Sequence, residues 1–146
     1  MDTAKMLRTG GLVVILGMSV ALGLAAIFSA RIREQFVYSP REQSVEDAIR
    51  QIAERERNLH ETTGNFAAFG DRDIQRNGAV LSLSWNAFPI GEFSFDAVPD
   101  ESGNLKLRAL PKAEAVTTLA VRARYYAAEL SSNGEMLRAG WFPAAN

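Results

Sequence analysis

The chain has 146 residues, a net charge of −1, no cysteine and a single histidine. Near-neutral charge removes a strong electrostatic pull toward nucleic acid or anionic lipid, and the lack of cysteine removes disulfides, zinc–thiolate sites and a thiol nucleophile. No Walker, GxGxxG, GxSxG or HExxH motif and no Asn-x-Ser/Thr sequon occurs, so no catalytic residue, no metal site and no cofactor is expected.

Residues 1–9 form a short tail carrying Lys5 and Arg8, and no charged residue follows until Arg31. As a helix, residues 12–30 would span roughly 28 Å at about 1.5 Å per residue, just enough for a hydrocarbon core about 30 Å thick. Backbone groups in lipid must bond to one another, so residues 10–30 are predicted to be a transmembrane helix. The apolar run is longer than the core of a secretory signal, and Phe28 spoils a small-x-small cleavage site ending at Ala30. The segment is therefore expected to be retained. Gly17, Ala21 and Ala25 recur at steps of four, as do Ser19 and Gly23, and such steps fall on one helix face. Small residues there allow close helix–helix approach, so Gly17, Ala21 and Ala25, with Ser19 and Gly23 as a second four-apart pair, are the expected helix-docking positions toward other transmembrane subunits.

Residues 31–43 read as a helical extension. Ser39-Pro40-Arg41-Glu42 resembles a capping box with proline at the first helical position, which predicts a kink or restart. Residues 44–63 are the clearest helix: Val45, Ala48, Ile49, Ile52, Ala53 and Leu59 make one apolar stripe, interrupted by Glu56. Glu46 and Asp47 sit early and Arg55, Arg57 and His60 late, as the helix dipole favours. Glu46–Arg50, Arg50–Glu54 and Arg57–Glu61 have the spacing of ion pairs, and Gly64-Asn65 closes the helix. The lone His60 fits the helix end better than a catalytic site.

Beyond Gly70 the apolar period becomes two. Residues 79–85 alternate, with Leu81, Leu83 and Trp85 on one side; residues 92–98 follow with Phe93 and Phe95, and residues 105–109 with Leu105 and Leu107. Glu101-Ser102-Gly103-Asn104 and Asn133-Gly134 read as turns, the latter joining strands over residues 125–130 and 135–141. Asn77-Gly78 signals a turn before the first strand. Residues 116–124 are ambiguous between a helix and the start of a long strand, and their Val and Thr residues, with Tyr125 just after, favour the strand. The acidic pair Asp71 and Asp73 is too small a ligand set for calcium. The expected fold class is α+β: an N-terminal transmembrane helix, then an amphipathic helix on an antiparallel sheet of four to five strands, with a globular head over residues 44–146.

Asp47-Ala48-Ile49-Arg50-Gln51-Ile52-Ala53, followed by Glu61-Thr62-Thr63-Gly64-Asn65-Phe66-Ala67, resembles type IV pilins and pseudopilins. So does the closing stretch Tyr125-Tyr126-Ala127-Ala128-Glu129-Leu130 with its turn and the end Arg138 to Trp141. The resemblance implies a long N-terminal helix leading from membrane to head. Pilin precursors are usually cut after a glycine and carry Glu at the fifth mature position. A cut after Gly10 or Gly11 would put Ile15 or Leu16 there. The mid-helix proline of the family is also missing. A carboxylate in hydrocarbon needs a partner, so its absence implies that the pairing it makes in a filament is not made here, and that the tail is not processed or polymerised.

The expected function is a non-enzymatic, single-pass accessory or structural subunit of a larger inner-membrane complex, such as a photosynthetic or respiratory one. Its partners would be other transmembrane subunits and membrane lipid, with no nucleic acid and no small-molecule substrate. The alternatives are a minor pilin or pseudopilin of a type IV pilus or type II secretion system, and a ligand-binding or enzymatic periplasmic domain. Lys5 and Arg8 before the apolar segment nearly balance Arg31, Arg33 and Arg41 after it; the periplasmic placement of the head follows from the resemblance alone.

Overall fold

The computed structural model describes the backbone of residues 3–70 and 91–144, and the side chains of residues 17–70 and 91–144. The chain divides into two compact units, Met1–Val37 and Tyr38–Asn146. The strand expected over residues 79–85, with Leu81, Leu83 and Trp85, lies outside the described residues, as do Asp71, Asp73 and the Asn77-Gly78 turn.

The first unit is helical. Helix α1 covers Thr3–Arg33, with Arg31 and Arg33 in its last turn. Among the described residues no helix is long and apolar enough to cross a membrane. The side chains of residues 12–16, which open the apolar run, are outside that set.

Five π-helical residues, Glu34–Tyr38, lead into α2, Ser39–Thr63, which carries proline in its first two positions. The expected capping box does not form. Tyr38 precedes α2 in helical conformation (φ −79°, ψ −53°) and the start of α2 has no side-chain cap. The wide turn meets Pro40 where a backbone N–H is missing, so the helix has no fresh N-terminus to cap. Glu42 is used elsewhere, as described below.

At its other end α2 stops as the sequence predicts. Gly64 takes φ +74° and donates its N–H to the His60 carbonyl at 2.7 Å. The expected apolar stripe is the buried face: Val45, Ala48, Ile49, Ile52 and Ala53 are inside and Leu59 packs at their border. Glu56, the apparent gap, is fully buried with them. Arg50 pairs with Asp47 at 3.1 Å rather than with Glu46.

Among the described residues four antiparallel strands follow: β1 Phe93–Pro99, β2 Leu105–Pro111, β3 Arg124–Leu130 and β4 Met136–Pro143, in the spatial order β1-β2-β3-β4. Alternate residues Phe93, Phe95, Ala97, Leu105, Leu107, Ala109, Ala128 and Leu130 join the α2 stripe in one core. A helix covering one sheet face buries both apolar surfaces at once. This is the pilin-like, α+β arrangement of helix on antiparallel sheet.

The two predicted turns that fall on described residues are present. The Asp100 carboxylate accepts N–H bonds from Ser102 and Asn104 at 2.8 and 2.9 Å, and Gly103 takes φ +79°. The Ser131–Glu135 turn closes β3 on β4, and the Asn104 side chain accepts the Ser132 N–H at 3.0 Å, tying the two turns together.

The strand start favoured over residues 116–124 does not form. Ala113–Thr117 form a short helix, α3, followed by a loop in which Leu119 has φ +56°, and β3 begins only at Arg124. Ala115 and Val121 reach the core from these irregular segments. Strand propensity is largely a matter of packing context, and here helix and loop bury the apolar residues.

Candidate interaction surfaces

In the first unit, Gly17, Ser19, Ala21, Gly23 and Ala25 all lie on α1 and all are exposed. A Cβ added at Gly17 or Gly23 would meet nothing within 4 Å. Met18, Val20, Leu22, Leu24, Ile27 and Phe28 are exposed as well. At about 100° per residue they are distributed around the helix rather than along one stripe.

In the second unit, polar contacts absent from any local motif fasten α2 to the sheet. Glu42 accepts both Nε of Arg124, at 2.8 Å, and one of its terminal nitrogens. Arg122 approaches the same carboxylate at 4.0 Å and sits 5.0 Å from the Tyr38 ring centroid. Glu46 accepts the Trp141 indole N–H at 2.7 Å, and Arg41 reaches Glu92 at 3.4 Å. Arg124 also lies over the Trp141 ring at 5.0 Å, and Trp141 meets Tyr126 edge-on at 5.3 Å. The first two turns of α2 thus engage residues at or beside β1, β3 and β4.

Glu56 sits at the other end of α2. One carboxylate oxygen accepts the Ala67 N–H at 2.8 Å and the other has no hydrogen-bond partner. Desolvation pushes its pKa up to about 7, against the lowering effect of the Ala67 bond. It secures the strap leaving α2, where Phe66 stacks on His60 at 4.4 Å and Phe69 bonds reciprocally with Ala97 of β1. His60 therefore serves the helix end and the strap.

The outer sheet face, opposite α2, carries a dent of about 220 Å³ lined by Lys106, Arg108, Tyr125, Ala127, Glu129, Arg138 and Phe142. Strand register builds it: Ala127 faces Gly140, while Tyr125 faces Phe142 and stacks on it at 5.5 Å. Lys106 and Arg138 flank Glu129 from the two neighbouring strands. Asp96 holds Arg108 through two bonds of 2.9 and 2.6 Å, and this hydrogen bonding raises the Arg108 pKa despite burial. Arg138 donates to Glu129 at 2.7 Å. Sequence reading missed this face because it depends on which strands become neighbours; the one available signal was charge at alternate strand positions.

No group of His, Asp or Glu suited to a metal ion occurs among the described residues. No family model matches the chain, and neither the curated proteins nor the solved structures contain a match. The likeness to pilins therefore stands on architecture alone.

Proposed function

We propose that the protein is a non-enzymatic, single-pass accessory subunit of a larger inner-membrane complex, held by α1 and carrying a pilin-like head on the periplasmic side. The observation that carries this reading is the surface of α1: Leu22 is 68% and Phe28 69% exposed, with apolar side chains around the helix and no charge between Arg8 and Arg31. Water is a poor solvent for such a surface. Among the described residues no helix is long and apolar enough to cross a membrane; the reading rests on the sequence, in which the uncharged run over residues 12–30 has about the length that a bilayer requires. Gly17, Ala21 and Ala25, with Ser19 and Gly23, would let a neighbouring helix approach closely.

The helix-on-sheet head supports a second reading, a minor pilin or pseudopilin. N-terminal mass separates the two: loss of residues 1–10 or 1–11 favours the pilin, while an uncut chain favours the accessory subunit. The docking face is tested by Ala21→Leu, which should weaken co-purification with membrane partners in mild detergent while the head stays folded. Undiminished co-purification would count against that face.

A further inference from the structure

We propose that the outer face of the sheet docks an extended acidic segment of a partner protein, one with carboxylates at alternate positions. This deepens the accessory-subunit reading by giving the head its own partner contact, and it can fail while anchoring by α1 stands.

The face holds three cations, Lys106, Arg108 and Arg138, and two carboxylates, Asp96 and Glu129. Formal charge is nearly balanced, yet the accessible charge is not. The Asp96 and Glu129 side chains are 16% and 15% exposed, whereas their partners Arg108 and Arg138 are 36% and 64% exposed. The carboxylates are tucked beneath the guanidinium groups, so an approaching molecule meets cations. Lys106 interacts through space with Asp100 of the adjoining turn, and Tyr125 interacts electrostatically with Arg108. The Ala127–Gly140 pair keeps the floor low, and the stacked Tyr125–Phe142 rings supply an apolar wall.

Spacing selects the occupant. Lys106 and Arg108 are two residues apart on β2, about 7 Å along the strand. An extended peptide with acids at alternate positions repeats at that same distance and presents its carboxylates on one side. Charge-assisted hydrogen bonds from lysine and arginine are the strong class of polar contact, and a dent of this volume admits a side chain rather than a folded surface.

The test uses the full-length chain in a neutral detergent and fluorescence anisotropy with three labelled peptides: glutamate alternating with threonine, the same composition with its glutamates contiguous, and lysine alternating with threonine. The alternating acidic peptide should bind best and the lysine peptide not at all. Lys106→Glu should weaken binding about tenfold and Lys106→Gln severalfold. Ala127→Leu, which fills the dent, should also weaken it, while Gln51→Glu on the exposed side of α2 should leave it unchanged. Equal binding of acidic and basic peptides, or affinity untouched by Lys106→Gln and Ala127→Leu in folded protein, would overturn the proposal. So would a Lys106→Gln effect confined to flotation with phosphatidylglycerol vesicles, which would assign the face to lipid.

Discussion

The Glu46 carboxylate accepts the indole N–H of Trp141 at 2.7 Å, joining residues 95 positions apart. It links the second turn of α2 to the last strand, so the two ends of the head are fastened directly to each other. Trp141 is also gripped by Arg124 over its face and by the edges of Tyr126 and Phe93. Its orientation is therefore over-determined, and a partner for the indole N–H is required when the ring is largely buried.

Replacing Trp141 with Phe keeps an aromatic ring and removes the donor. The loss of a hydrogen bond to a charged group predicts destabilisation of about 2 kcal/mol. Chemical unfolding of the full chain, followed by tryptophan-independent far-UV circular dichroism, measures it. Glu46→Gln keeps an acceptor and should cost less than Glu46→Ala; equal costs for the two would show that the hydrogen bond carries none of the stability.

Glu56 predicts an unusual pH dependence. Its pKa is about 7 in the folded head against 4.5 for an ordinary glutamate. Because the folded value is the higher one, its contribution to stability is fully present below about pH 4.5 and is lost as the pH rises through 7. The loss is at most about 3 kcal/mol. Glu56→Gln keeps an acceptor for the Ala67 N–H and cannot ionise. The variant should match the wild type near pH 5 and exceed it in melting temperature at pH 8. Parallel pH profiles for the two proteins would remove Glu56 as the cause.

These two carboxylates also mark what a sequence can and cannot say about this fold. The 3.6-residue stripe from Val45 to Leu59 and the two-residue alternation around Phe93–Phe95 and Leu105–Leu107 are local patterns, and the structure buries those faces. Gly103 and Gly134 mark the turns for the same local reason: both adopt positive φ. Glu46 reads as an exposed helix charge and Glu56 as a flaw in the stripe, because their roles depend on Trp141 and Ala67, which no helical pattern names. Glu42 reads as part of a local cap, yet its carboxylate holds Arg124. The link between β2 and β3 failed differently: Val116 and Val121 have strand-forming side chains, but burial beside the core is satisfied by α3 and a loop. The outer-face dent required the neighbours of β3 to be known.

Gly134 combines two constraints at one position. It has φ +86°, and a Cβ built there would lie 3.2 Å from Cγ of Arg57 on α2. A left-handed conformation alone costs a residue with a side chain roughly 1 kcal/mol or more, and the Arg57 stem must also give way. Gly134→Ala should therefore destabilise the head by about 1–2 kcal/mol. Arg57→Ala in the same chain relieves the contact but leaves the backbone strain. The double variant should recover part of the loss, and a thermal-unfolding double-mutant cycle reads that coupling directly. Strict additivity would mean that the turn moves away from α2 freely and that only the dihedral matters. Measurable coupling would show that this turn is packed against the helix, so that a single added methyl group is felt by two elements at once.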